Sequence, residues 1–189
     1  MKKIIVVLAS ILLSIVMFGQ EHLCFKGIPI DGTTSQFVAK LKTVGYVVVG
    51  EYSDDIRLRG VFMGKDCTLS LKFSAVSKTV HSVYVIFNNE RDWASLENDY
   101  ENIKNGLTIK YGKPTTVKEE FRTPYEEGDG DAYTAFKGGY VDWWSSFSIK
   151  TGTINLYIRE QTYPTMTVII NYCDKLNYEK SLQELADEL

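Results

Sequence analysis

The chain has 189 residues, with 24 acidic and 21 basic side chains, a formal charge of −3 and an aromatic content of 13%. That length suits one domain with a sizeable core. A mildly acidic balance without a basic stripe makes nucleic acid and anionic membrane poor partners by charge.

Lys2 and Lys3 precede an apolar run from Ile4 to Phe18 that only Ser10 and Ser14 interrupt. A charged start and an apolar segment too short to cross a bilayer of roughly 30 Å predict a secretory signal peptide over residues 1–19. Small Gly19 before polar Gln20 marks the cleavage point, leaving 20–189 as a single exported α+β domain of 170 residues and charge −5, destined for the periplasm or the outside. Cys24 is a poor lipid-attachment site, because Glu21, His22 and Leu23 stand where small residues are needed, so no membrane anchor is expected.

The next segment, Phe25-Lys26-Gly27-Ile28-Pro29-Ile30-Asp31-Gly32, reads as an extended arm that turns into a helix: Pro29 pushes Ile28 out of the helical region and Asp31-Gly32 makes the turn. Thr33 or Thr34 caps a helix carrying Phe37, Leu41 and Val44 on one side, and Gly45 ends it. Ile56 and Leu58 then alternate with Arg57 and Arg59. Cys67, Leu69, Leu71 and Phe73 alternate with Thr68, Ser70 and Lys72, giving strands with one dry and one wet face. Val83, Val85 and Phe87 continue the pattern, but Tyr84 and Ile86 make that strand apolar on both sides and hence central. Asn88 or Asn89 caps a second helix, with Trp93, Leu96, Tyr100, Ile103 and Leu107 as its stripe and Gly112 and Pro114 as its stop. Strands are expected at Val117 to Phe121, Val141 to Ile149, Ile154 to Ile158 and Met166 to Tyr172. A third helix follows with Tyr178, Leu182, Leu185 and Leu189 on its apolar side.

Runs of strands between helices predict an antiparallel sheet with three helices gathered on one face. The parallel junctions Gly45-Tyr46 and Tyr111-Gly112-Lys113-Pro114 leave room for two duplicated helix-plus-strands units. In layout the chain resembles the tandem α-β units of the beta-lactamase inhibitor protein and of small outer-membrane assembly lipoproteins. The Phe25–Gly32 segment and the ending Ile170-Asn171-Tyr172-Cys173-Asp174-Lys175-Leu176-Asn177 are similar to a family of uncharacterised small exported bacterial proteins. That resemblance implies no activity and no catalytic residues.

Chemistry is sparse. The only histidines are His22 and His81. There is no GxSxG elbow for a triad, and a Cys67/His81 pair is disfavoured because parity places Cys67 on the apolar face. Glu126-Glu127-Gly128-Asp129-Gly130-Asp131 starts like a calcium loop, but Ala132 stands where the turn glycine belongs and Gly138 where the closing Glu belongs, so a solvated loop is expected. Neither a phosphate-binding loop nor a dinucleotide fingerprint is present. No metal, cofactor or catalytic residue is therefore assigned. Cys24, Cys67 and Cys173 cannot all pair within one chain, which leaves two readings open, small buried side chains or one bridge with a free thiol.

The informative segment runs from Tyr140 to Arg159. Val141, Trp143, Ser145, Phe147 and Ile149 share one face, and Tyr140, Asp142, Trp144, Ser146 and Ser148 the other. A turn at Thr151-Gly152 sets Trp144 opposite Arg159, Ser146 opposite Tyr157 and Tyr140 opposite Tyr163. The outward face then collects Tyr140, Asp142, Trp144, Asn155, Tyr157 and Arg159, whereas the first half shows Arg57, Arg59, Thr68, Ser70 and Lys72. Such aromatics either stack merely to protect the sheet or form a surface for a ligand, a glycan or a protein. The expectation is a non-enzymatic binding or interaction module contacting an unknown protein or glycan through Tyr140, Asp142, Trp144, Tyr157 and Arg159. The alternative is an envelope or extracellular hydrolase using carboxylates that sequence does not single out.

Overall fold

A computed structural model describes residues 21–88, 92–162 and 164–189, so the expected signal peptide and Tyr163 lie outside it. The arm is a tight hairpin, β1 (Cys24–Phe25) and β2 (Ile28–Pro29), turned by Lys26 and Gly27 at φ of 50° and 79°. It leads into α1 (Thr34–Thr43), where the Thr33 hydroxyl accepts from the Gln36 N–H and the Gln36 side-chain oxygen accepts from the Thr33 N–H. This reciprocal pair satisfies two of the donors a helix start leaves open.

Four strands follow, β3 (Val47–Glu51), β4 (Ile56–Phe62), β5 (Lys65–Phe73) and β6 (Val80–Phe87). The second half begins with α2 (Trp93–Tyr111), capped by the Asp92 carboxylate accepting from the Ser95 N–H at 2.9 Å rather than by Asn88, while Asn89 lies outside the described residues. Then come β7 (Thr116–Phe121), α3 (Ala132–Lys137), β8 (Val141–Ile149), β9 (Gly152–Glu160), β10 (Met166–Asp174) and α4 (Lys175–Ala186).

Strands β3 to β10 form one eight-stranded antiparallel sheet in the order β3-β4-β5-β6-β10-β9-β8-β7. Each half contributes a meander, and the last strands of the two, β6 and β10, pair at the centre. Centrality explains their composition: Ile86 and Ile169 face each other on the side where outer strands carry polar residues.

One face is the core. Leu58, Leu69, Val85, Ile170 and Leu156 lie in register across it and are buried, beneath Phe37 and Leu41 of α1 and Leu96, Tyr100, Ile103 and Leu107 of α2. A polar network bridges α2 to the second half: the Tyr100 hydroxyl lies 2.6 Å from Ser145 Oγ and 2.8 Å from Glu119 Oε1, which Lys104 also reaches. Ser145, fully buried, is thus satisfied, and burial pushes the Tyr100 phenol far above its ordinary range.

The helix count differs from expectation, with four among the described residues instead of three. The short α3 carries too little periodic sequence to be read in advance, and packs Phe136 against Trp93 and Phe121. Nor do all helices gather on one face. Polar anchors fix α4 across the end of the sheet: Asn177 Nδ2 donates to the carbonyls of Ile30 and Val80 at 2.9 Å, and Glu184 accepts from Ser74 and Ser77. Its apolar stripe, Tyr178, Leu182, Leu185 and Leu189, is accordingly exposed.

Candidate functional site

The other face of the sheet carries the side chains that parity assigned outward. Two rows of cross-strand neighbours cross it. One reads Lys118, Trp144, Tyr157, Ile169, Ile86, Thr68 and Arg59; the next reads Thr116, Ser146, Asn155, Asn171, Tyr84, Ser70 and Arg57. Among the described residues α4 borders this face, with Tyr178 ring to ring against His81 at 5.5 Å.

The β8–β9 turn is Lys150-Thr151, since Ile149 pairs with Gly152, so the register differs by two from the expected one. Trp144 stands opposite Tyr157, not Arg159, and Ser146 opposite Asn155, not Tyr157. A shift of two preserves the face of every side chain. Trp143 is accordingly buried at 6% exposure, while Trp144 and Tyr157 are half-buried on the outward side and Arg159 is exposed.

Asp142, Trp144, Tyr157 and Arg159 line a cavity of about 410 Å³. Tyr140 is not brought to it: it precedes β8, its N–H bonds to the Ala135 carbonyl, and its ring packs on Tyr125 at 5.3 Å. A second cavity of about 460 Å³ adjoins along the sheet, with Asn155 lining both. Tyr84, Asn171, His81 and Tyr178 belong to this second cavity and were missed. The signal available for Tyr84 was its parity in β6, which marked a central strand; the wall supplied by α4 depends on side-chain anchors that no periodicity encodes.

Charge on this face is unevenly committed. Arg57 bonds the buried Asp55 at 3.0 Å and Lys72 reaches Asp54 at 3.4 Å. Asp142 takes Lys118 at 2.5 Å and Arg122 at 3.2 Å, and the hydrogen bond from Lys118 holds its carboxyl below the ordinary carboxylate range. Burial raises the phenols of Tyr84 and Tyr157, and Arg159 acts on both in the opposite sense, which places the guanidinium within electrostatic reach of the two rings.

The carboxylates at the first cavity are Asp142 and Glu160. Asp142, kept ionised by two cations, is unsuited to the general-acid role that glycoside hydrolysis demands. In the second cavity His81 Nδ1 lies 2.9 Å from Ser82 Oγ, and Cys173 is nearby. Burial, with Lys72 adding to it, lowers the His81 pKa, and burial raises that of Cys173, an arrangement that activates no nucleophile. Cys67 lies at the far end of β6 from His81, against Phe87, roughly 20 Å away at the rise of a strand. All three cysteines are free. In the 126–131 loop the Asp129 carboxylate accepts from the N–H groups of Glu126 and Asp131, closing a turn on itself. Among the described residues no helix is long and apolar enough to cross a membrane.

Compared with models of protein families, with curated proteins and with solved structures, the chain matches none.

Proposed function

We propose that this is an exported, non-enzymatic binding module that makes its contact through the outward face of its second half. The observation that carries the reading is the cross-strand pair Trp144–Tyr157 beside exposed Arg159, set over a cavity on a sheet face that α1 and α2 leave bare. Flat rings flanked by amides and a guanidinium offer stacking together with directional hydrogen bonds, the combination that glycans and protein surfaces both accept. The mirrored pair of helix-plus-meander halves supports a duplicated unit, laid out like the beta-lactamase inhibitor protein. Export rests on residues 1–19, and membership of the small exported bacterial family rests on the Phe25–Gly32 arm.

The test is capture of ligand by the mature protein on a glycan array and in pull-downs from an envelope extract, compared with folded Trp144→Ala and Tyr157→Ala variants. Loss of signal in both supports the platform. An unchanged signal in both transfers the search to the Phe25–Gly32 arm.

A further inference from the structure

The ladder between β8 and β9 stops at Trp144 opposite Tyr157, although the two strands continue to Val141 and Glu160. Over that stretch each strand keeps its outer neighbour, Val141 pairing with Phe121 and Glu160 with Met166. The sheet therefore splits between 141–143 and 158–160. The 410 Å³ cavity sits in this split, walled by Trp144, Tyr157 and Arg159 of the outward face and by Trp143 and Ile158 of the core face.

Two donors at the split are uncommitted. Trp143 is 94% buried, yet its Nε1–H has no hydrogen-bond partner among the described residues, against the near-universal pairing of buried polar groups. The Arg159 guanidinium makes no hydrogen bond or ion pair among the described residues. Of the two carboxylates nearby, Asp142 already serves Lys118 and Arg122, and Glu160 belongs by parity to the core face, opposite Met166.

We propose that the split between β8 and β9 is a subsite for an acidic sugar, a pyranose ring carrying a carboxylate. Arg159 binds the carboxylate, the Trp143 Nε1–H donates to an oxygen of the same unit, and Trp144 with Tyr157 covers the apolar face of the ring. The assignment rests on the outward face being the binding surface. A guanidinium presents a planar fork that fits a carboxylate in two-point contact, which an ammonium does not. The volume falls within the roughly 300–1,000 Å³ of small-ligand sites, whereas a protein partner brings about 800 Å² of its own surface onto a broad patch. The second cavity, joined through Asn155, extends the site for a neighbouring sugar, and Asn171 in it keeps Oδ1 buried and unpartnered, leaving its amide uncommitted.

Calorimetric titration with hexamers of galacturonate and of mannuronate, each against its methyl ester, tests the assignment. The mature protein should bind at least one acid form about tenfold or more tighter than the matching ester, the difference a charge-assisted hydrogen bond supplies. Arg159→Gln should lose that preference, and Trp143→Phe should weaken both forms. Nuclear magnetic resonance should show the Trp143 indole N–H signal moving on titration in the unmodified protein, a readout independent of whether the Phe variant folds. No binding of either acid form, equal affinity for acid and ester, or an intact preference in Arg159→Gln overturns the acidic-sugar assignment. Equal affinity that Trp144→Ala abolishes overturns it while sparing the platform. Acid binding unchanged in both Trp144→Ala and Arg159→Gln overturns the platform as well.

Discussion

Trp143 and Trp144 are adjacent in sequence and opposite in environment, so replacing each by alanine measures which side of the sheet is core. Trp143 is 6% exposed and packs edge-on to Trp93 at 4.9 Å, with Phe121 at 5.9 Å and Tyr100 at 6.5 Å. A ring of this kind buries roughly 200 Å², which at about 25 cal/mol per Å² is an upper figure near 5 kcal/mol. Removing the unpartnered Nε1–H relieves about 1–3 kcal/mol of that loss, and the cavity left behind adds to it. The net expectation for Trp143→Ala is a destabilisation of about 3–4 kcal/mol. Trp144 is only half-buried, and its removal should cost about 1 kcal/mol or less. Urea unfolding followed by far-ultraviolet circular dichroism, with both variants at equal m-value, reads the two figures directly. Equal losses, or a larger loss for Trp144→Ala, would refute the assignment of the faces and with it the use of Trp144→Ala as a folded binding-deficient variant.

Three further outcomes follow from particular contacts. The fully buried Asp174 carboxylate accepts from the N–H of Leu23 at 2.7 Å and of Asn177 at 2.9 Å and lies 3.0 Å from His22 Nδ1, so Asp174→Ala should cost about 3 kcal/mol. Limited proteolysis should then release the residues around Leu23, and an undisturbed start would count against this clasp. A Cβ on Gly152 would stand 2.1 Å from the Cys173 carbonyl oxygen, a backbone atom that cannot step aside, so Gly152→Ala should lower the urea midpoint by an amount worth about 2 kcal/mol or more. His81 has its pKa lowered by burial and by Lys72, so the unfolded chain takes up a proton there before the folded one does. Its contribution to stability is complete above about pH 6.5 and is lost as pH falls through the depressed value. The urea midpoint of His81→Gln, followed from pH 7.5 to 5, should decline less steeply than that of the unmodified protein, and parallel slopes would exclude this titration.

Local patterning was sufficient for much of this architecture. Alternation at Cys67–Phe73 and Val141–Ile149 identified the dry and wet sides of β5 and β8, because side chains of a strand alternate whatever lies around them. The stripe Leu96, Tyr100, Ile103 and Leu107 of α2 is buried as its spacing required. Facing survived even a wrong turn at Thr151-Gly152, since a two-residue change in register returns each side chain to the same face. What parity could not convey was which outward residues share a cavity. Trp144 meets Tyr157 only because the turn is Lys150-Thr151, and Tyr140 ends beyond the strand against Tyr125. The apolar stripe of α4 misled for a different reason: Asp174, Asn177 and Glu184 tie that helix by hydrogen bonds to Leu23, to Ile30 and Val80, and to Ser74 and Ser77, so its polar side faces the protein and its leucines face solvent. The split between β8 and β9 belongs to the same class, because it depends on which strands pair over 141–143 and 158–160, and Val141 takes its partner, Phe121, from 20 residues earlier in the chain. The residues of this protein thus determined the faces of its elements one by one, and long-range pairing alone determined which faces meet.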